Sequence, residues 1–217
     1  MPEKLLLRPA LLYKTTLVCL ILAPLCLASD HWKSDDYEES RNEVRDFVSG
    51  GHIYVRLKVG DVHVRPSGSS QVRVHYTVKS HSESHVKDSR LDIDIRGNTA
   101  YLDFHTTGHN TQVDVELEIP QSSNLDVHEQ VGDLTVEGIE GDKDLDLAVG
   151  DIRIAADESL YRFVNASTSI GDVDGSVKGR GLDEVSGFLG KTLKYHGDGK
   201  YELRAHVSVG DITLEGK

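Results

Sequence analysis

The sequence predicts an all-β protein: a β-solenoid of stacked short strands, with longer antiparallel strands in its N-terminal half. Three observations carry this. From residue 52 onward apolar residues recur at every second position in one window after another, the period of half-buried strands, and no comparable window supports a helical period. A short unit, an aliphatic residue followed by Gly-Asp and a second aliphatic, recurs five times. Glycine is in excess, with 20 residues against five prolines in 217.

Residues 1–28 read as an export signal. Lys4, Arg8 and Lys14 form a basic beginning, Leu17-Val18-Cys19-Leu20-Ile21-Leu22 a short apolar run, and Cys26-Leu27-Ala28 places small residues at the cleavage-determining positions. The run is broken by Pro24 and falls short of the about 20 apolar residues that a membrane span needs, so no transmembrane anchor is expected in the mature chain. Removal of residues 1–28 takes away Cys19 and Cys26, excluding disulfides, and leaves 21 basic and 35 acidic residues, a net charge of −14. Such an anionic chain with no concentrated Lys/Arg patch is not expected to bind nucleic acid. The mature domain must therefore be stable through core burial and backbone pairing alone.

Residues 29–49 are polar and charge-dense with almost no apolar periodicity, the pattern of a mobile lead-in segment. Residues 50–217 form the expected single β domain. Ile53, Val55, Leu57 and Val59 alternate with polar residues, as do Val72, Val74, Tyr76 and Val78. Leu91, Ile93 and Ile95 lead through Gly97-Asn98 to Leu102 and Phe104, and Val113, Val115, Leu117 and Ile119 follow.

The repeat occupies Gly60-Asp61, Gly132-Asp133, Gly150-Asp151, Gly171-Asp172 and Gly210-Asp211. Spacings between the later glycines are 18, 21 and 39 residues, the last close to two repeats, with Ser186-Gly187-Phe188-Leu189 as a degenerate copy in the gap. Phase identifies the unit as a corner. Leu145, Leu147 and Val149 step by two, and Ile152 and Ile154 resume after a step of three, so Gly-Asp bends the chain and returns apolar side chains to the inside. Independent hairpins also use two-residue turns, but a repeat near 20 residues fits turns of a coil stacked edge-on at about 4.8 Å.

The stretch from Gly132 to Ile152, together with Gly60-Asp61-Val62-His63-Val64 and Val72-Arg73-Val74, resembles the bacterial putative-adhesin family of β-strand-repeat proteins, a family of largely unknown function. The resemblance spans roughly residues 47–216 and implies an exported β-solenoid with adhesion as its nominal role.

Candidate chemistry is sparse. In-register stacking would align Asp133, Asp151, Asp172 and Asp211 as a carboxylate ladder. It would be solvated, bonded to nearby backbone N–H groups or cation-bound, although calcium needs six to eight oxygens per site. His81 and His85, and His105 and His109, are four apart, but zinc needs further ordered ligands. No thiol remains in the mature chain, and neither G-x-S-x-G nor H-E-x-x-H occurs. The pairs Asp92 with Asp103 and Asp114 with Glu116 are expected on an outward face, paired with Arg56, Arg73 and Lys79. No catalytic, metal or cofactor site is therefore assigned, and the ten Gly and Asp residues above are expected as structural corners. The expected role is that of an exported (periplasmic, cell-surface or secreted) non-enzymatic structural or adhesive module, its partner an envelope protein or a glycan. The alternatives are a carbohydrate-active enzyme on a β-solenoid and a cation-stabilised scaffold.

Overall fold

The computed structural model describes residues 36–175, 183–187 and 189–216; the expected leader at 1–28 lies outside them. In chain order the first elements are β1 (Tyr37–Asp46), β2 (His52–Val59), β3 (Val62–Ser67), β4 (Gln71–Ser80), α1 (Glu83–Asp88), β5 (Arg90–Arg96), β6 (Thr99–His105) and β7 (Thr111–Pro120). They are followed by β8 (Asn124–Val131), β9 (Leu134–Glu137), β10 (Lys143–Val149), β11 (Ile152–Ala156), β12 (Tyr161–Ile170) and β13 (Val173–Gly175). The last are β14 (Asp183–Ser186), β15 (Lys191–His196), β16 (Tyr201–Val209) and β17 (Ile212–Gly216). Among the described residues these strands form two mixed sheets, β1-β4-β7-β3-β9-β11-β17-β13 and β14-β15-β12-β16-β10-β8-β2-β6-β5.

The protein is all-β, but it is two mixed sheets rather than one simple coil. Its middle is a stack of parallel rungs. Each rung places a longer strand in the second sheet, turns at Gly-Asp, and continues as a shorter strand in the first. Both strands of a rung pair in register with those of the next. Stack order is not chain order. From one end the rungs run β2–β3, β8–β9, β10–β11, β16–β17 and β12–β13, so the last rung in sequence inserts between the third and fourth. Among the described residues the 39-residue gap holds no further corner: residues 183–187 and 189–196 carry the antiparallel pair β14–β15, with Gly187 N–H donating to Gly190 O at 2.7 Å between them. Antiparallel strands are not confined to the N-terminal half. β4 and β1 extend one sheet beyond β7, β5 flanks β6, and β15 and β14 flank β12.

Register turns alternation into core columns. Ile53, Leu125, Lys143, Leu203 and Val164 form one row, Val55, Val127, Leu145, Ala205 and Ala166 the next, and Leu57, Glu129, Leu147, Val207 and Thr168 the third. Val62, Leu134, Ile152, Ile212 and Val173 face them from the other sheet, all buried. Each fully buried aliphatic contributes about 1.5–3 kcal/mol, which allows a core without disulfides.

Residues 37–46, within the expected mobile lead-in, form β1. Their charges cap the sheet end. Glu39, Arg41, Glu43 and Arg45 stand opposite buried Val78, Tyr76, Val74 and Val72 on the same face. Arg41 donates to Val86 O at 2.9 Å and to Ser89 O at the end of α1, and pairs with Glu39 at 2.9 Å. Charge on the inward face of an edge strand deters further strand addition. Alternation is absent there because β1 lies past the hydrophobic interior.

Candidate functional site: the corner ladder and the outer face of the longer sheet

Gly60-Asp61, Gly132-Asp133, Gly150-Asp151, Gly171-Asp172 and Gly210-Asp211 each lie between the two strands of a rung. Gly150 shows why glycine is required. Its φ is +131°, and a Cβ there would lie 1.7 Å from Gly132 O on the neighbouring rung. Backbone conformation and close stacking both exclude a side chain.

The aspartates bond between rungs rather than within their own turns. Asp61 Oδ1 accepts from Asp133 N–H at 3.0 Å, Asp133 Oδ1 from Asp151 at 3.0 Å, Asp151 Oδ1 from Asp211 at 2.9 Å, and Asp211 Oδ1 from Asp172 at 2.7 Å. Asp172 ends the ladder, accepting from Val173 N–H at 2.8 Å and pairing with Lys191 at 3.2 Å. The Lys191 ammonium beside it holds its carboxyl below the usual range. A shorter ladder marks the opposite bend, where Asn124 Oδ1 accepts from Asp142 N–H at 2.9 Å and Asp142 Oδ1 from Glu202 N–H at 2.8 Å. Each side-chain oxygen thus satisfies a backbone donor that the bend takes out of the strand ladder.

Two ionisable groups interrupt the apolar columns. Glu129 is 4% exposed, and among the described residues neither carboxylate oxygen has a hydrogen-bond partner. Burial, reinforced by the nearby Asp61 and Asp133 charges, pushes its carboxyl up to about 8. Lys143 is 3% exposed and donates to Gly141 O at 3.1 Å and to the Tyr161 hydroxyl at 2.5 Å. Burial pushes its amine down to about 7 and drives the Tyr161 hydroxyl up. Neither is among the residues that the motifs single out, although alternation marks both: Glu129 follows Leu125 and Val127 at intervals of two, and Lys143 precedes Leu145 and Leu147 likewise.

The outer face of the longer sheet is polar and extended. One row across five strands reads Asp103, Arg56, His128, Asp146 and His206, with Arg56–Asp103 at 3.6 Å and His128–Asp146 at 3.7 Å. A groove of about 530 Å³ runs along it, lined in part by Arg56, Lys58, Asp103, His105, His128 and Asp146. Beside it Arg96, Tyr101, Tyr54 and His52 stack in a file, the two tyrosine rings 5.1 Å apart and within 9° of parallel. Ser167 Oγ lies 3.1 Å from His206 Nδ1, but among the described residues Asp146 makes its ion pair with His128 and not with His206, so no oriented base is assembled.

The other candidates are dispersed. Asp92 faces Asp103 across β5–β6, and each is paired, Asp92 with Arg90 and His105 at 3.2 Å and Asp103 with Arg56. Asp114 pairs with Lys79 at 2.6 Å, and Glu116 with Arg65 at 3.3 Å; Arg73 reaches Glu118 rather than either acid. His81 and His85 share no strand, because α1 begins between them; His81 pairs with Asp36 and His85 faces Ser80. Among the described residues no three His, Cys, Asp or Glu side chains converge to hold a metal, and no helix is long and apolar enough to cross a membrane.

Among known families, the model described as Toastrack DUF4097 matches residues 109–215. Over that span the chain is similar to the Toastrack family. The Toastrack span takes in β7 through nearly all of β17 and leaves the β2–β3 rung outside, although that rung has the same corner. A solved structure from Clostridium sporogenes, named a "putative cell adhesion protein", matches with a TM-score of 0.54 at 12% identity, covering 83% of this chain and 100% of its own. That coverage exceeds the Toastrack span, so the likeness in fold extends to the earlier strands. Two structures named "putative adhesin" also match. The one from Parabacteroides merdae has a TM-score of 0.26 and 12% identity, over 63% of this chain and 67% of its own. The one from Bacteroides fragilis has a TM-score of 0.28 and 9% identity, over 81% and 97%. No curated protein matches.

Proposed function

We propose that the protein is an exported, non-enzymatic module of β-solenoid character with a structural or adhesive binding role at the cell envelope or outside the cell. The observation that carries this is the outer face of the longer sheet, where in-register strands line up polar side chains beside a groove of about 530 Å³ instead of converging them on a reacting atom. Carboxylates that could serve glycoside cleavage are taken up by Arg56, Arg90 and His105. The shared fold with a protein named as a cell adhesion protein points the same way. In this reading the Gly-Asp corners are structural, and the bound partner is a glycan or an envelope protein.

The test is a glycan array and a pull-down against envelope components, with the wild-type chain and an Arg56→Ala/Lys58→Ala variant. Binding by the wild type and at least tenfold weaker binding by the variant are expected. Failure to capture any partner, or reducing sugar released from a polysaccharide panel, would sink the proposal.

A further inference from the structure

The aliphatic residue that precedes each corner is not in the core. Val59 is 39% exposed, Val131 44%, Val149 45%, Val209 44% and Ile170 48%. Register sets them side by side in that order, and Leu189, 60% exposed, extends the file because its carbonyl accepts from Gly171 N–H. Six aliphatic side chains at about 4.8 Å make a ridge about 24 Å long down one edge of the stack. Scattered exposed aliphatics need no explanation, but a contiguous file is the mark of an interaction surface.

A second file runs beside the first. Asp61, Asp133, Asp151, Asp211 and Asp172 follow the ridge residues by two positions and keep the same register. Among the described residues Asp172 alone of these five is in an ion pair, with Lys191 at the end of the row. Among the described residues each of the other four carboxylates accepts one backbone hydrogen bond and is in no ion pair, the Lys79 ammonium near Asp61 being paired with Asp114. The edge therefore presents a continuous apolar line and a continuous anionic line, in parallel, on a chain of net charge −12.

Those two lines select the occupant. A second copy would bring another anionic ladder against the first, and anionic lipid or nucleic acid would meet the same repulsion. We propose that this edge docks a cationic amphipathic segment of a partner protein, its aliphatic side chains on the ridge and its Lys or Arg residues along the ladder. The proposal stands on different residues from the groove and does not depend on the groove having a ligand.

Two isosteric sets separate the contributions. Val131→Thr/Val149→Thr/Val209→Thr keeps shape and charge and replaces one methyl of each side chain with a hydroxyl, which weakens apolar contact. Asp133→Asn/Asp151→Asn/Asp211→Asn keeps the Oδ1 acceptor that holds the rungs and removes charge. Asp92→Asn/Asp94→Asn/Glu83→Gln removes equal charge elsewhere. The probe is a labelled 16-residue Leu/Lys amphipathic helix, followed by fluorescence anisotropy at low and physiological salt against the full chain, with melting curves for every variant. Binding is expected for the wild type and the remote-charge variant. The Thr set should weaken it about tenfold with an unchanged salt dependence, and the Asn set about tenfold with a flatter one. Should a triple variant unfold, Val149→Thr and Asp151→Asn alone are expected to show the same two patterns at smaller amplitude. Equal binding by the wild type and the Thr set would overturn the proposal by showing general charge attraction. So would wild-type dimers in sedimentation that the Thr set abolishes, or wild-type binding to phosphatidylglycerol vesicles in place of the peptide.

Discussion

Replacing Glu129 tests the account of the core most directly. Its register neighbours are Leu57 and Leu147, so a carboxyl occupies a leucine column with no hydrogen-bond partner at either oxygen among the described residues. Burial raises its pKa from 4.5 to about 8, which at 1.36 kcal/mol per pH unit is a penalty of about 5 kcal/mol once fully developed. Below pH 4.5 the group is protonated in the folded and unfolded chain alike, and no ionisation penalty arises. Between 4.5 and 8 the unfolded chain releases the proton and the folded chain retains it, so stability falls as pH rises. Above 8 the penalty is constant. At pH 7 about 3 kcal/mol of it is already present. Glu129→Gln removes the titration at nearly constant shape, and Glu129→Leu also matches the column. Urea unfolding from pH 4 to 9 should show both variants more stable than wild type by about 3 kcal/mol at pH 7, with Tm higher by roughly 10 °C. The stability difference should shrink towards zero for Gln near pH 4.5. A difference that is absent at pH 7, or that does not vary between pH 4.5 and 8, would refute the reasoning.

Lys143 gives the mirror-image case. Its amine is pushed from 10.5 down to about 7, so wild-type stability should fall as pH drops from 10.5 to 7 and stay level below. Lys143→Met/Tyr161→Phe, which avoids leaving the Tyr161 hydroxyl without its partner, should therefore stabilise the chain by several kcal/mol more at pH 7 than at pH 10 in denaturant titrations. The corner glycines predict a contrast between two positive-φ sites. Gly150→Ala, with its Cβ 1.7 Å from Gly132 O, should cost more than about 4 kcal/mol and prevent soluble folding. Gly97→Ala, at φ +64° with nothing within 4 Å, should cost only about 1–2 kcal/mol by thermal melting.

Much of the fold can be read in the sequence because the physics involved is local. Alternation at Leu145, Leu147, Ile152 and Ile154 states which side chains are inside, and Gly150-Asp151 states where the phase resets; both follow from a few residues. Stack order is different in kind. Any rung offers the same backbone donors and acceptors at the same spacing, so nothing within Leu203–Leu214 tells that β16–β17 lies between β10–β11 and β12–β13. The neighbour is chosen by connections elsewhere, here the β14–β15 excursion that separates the two rungs in sequence. The candidate surface was hidden for a related reason. Alternation assigns Val149 to the inside with Leu145 and Leu147, yet it is 45% exposed, because it is the last residue of β10 and stands at the edge of the stack, beyond the core column. The histidine spacing misled because residues 83–88 turn into a helix, and a four-residue interval does not place its ends on a strand that has already stopped.

The corner thus contains three residues whose identities have different causes. Glycine is dictated twice, by φ and by the carbonyl of the adjacent rung. Aspartate is dictated by a backbone N–H that the bend removes from the strand ladder and that its Oδ1 receives; asparagine would meet that need equally, as Asn124 does at the opposite bend. The aliphatic residue has no such requirement. A β-branched side chain suits an extended backbone, but threonine supplies that shape at an exposed position with a hydroxyl in place of one of valine's two methyl groups. Stacking alone accounts for the glycine, for the acceptor oxygen of the aspartate and for a β-branched outline. It does not account for the aspartate charge or for an unbroken aliphatic file, and these are the two properties that a docked cationic amphipathic segment would use.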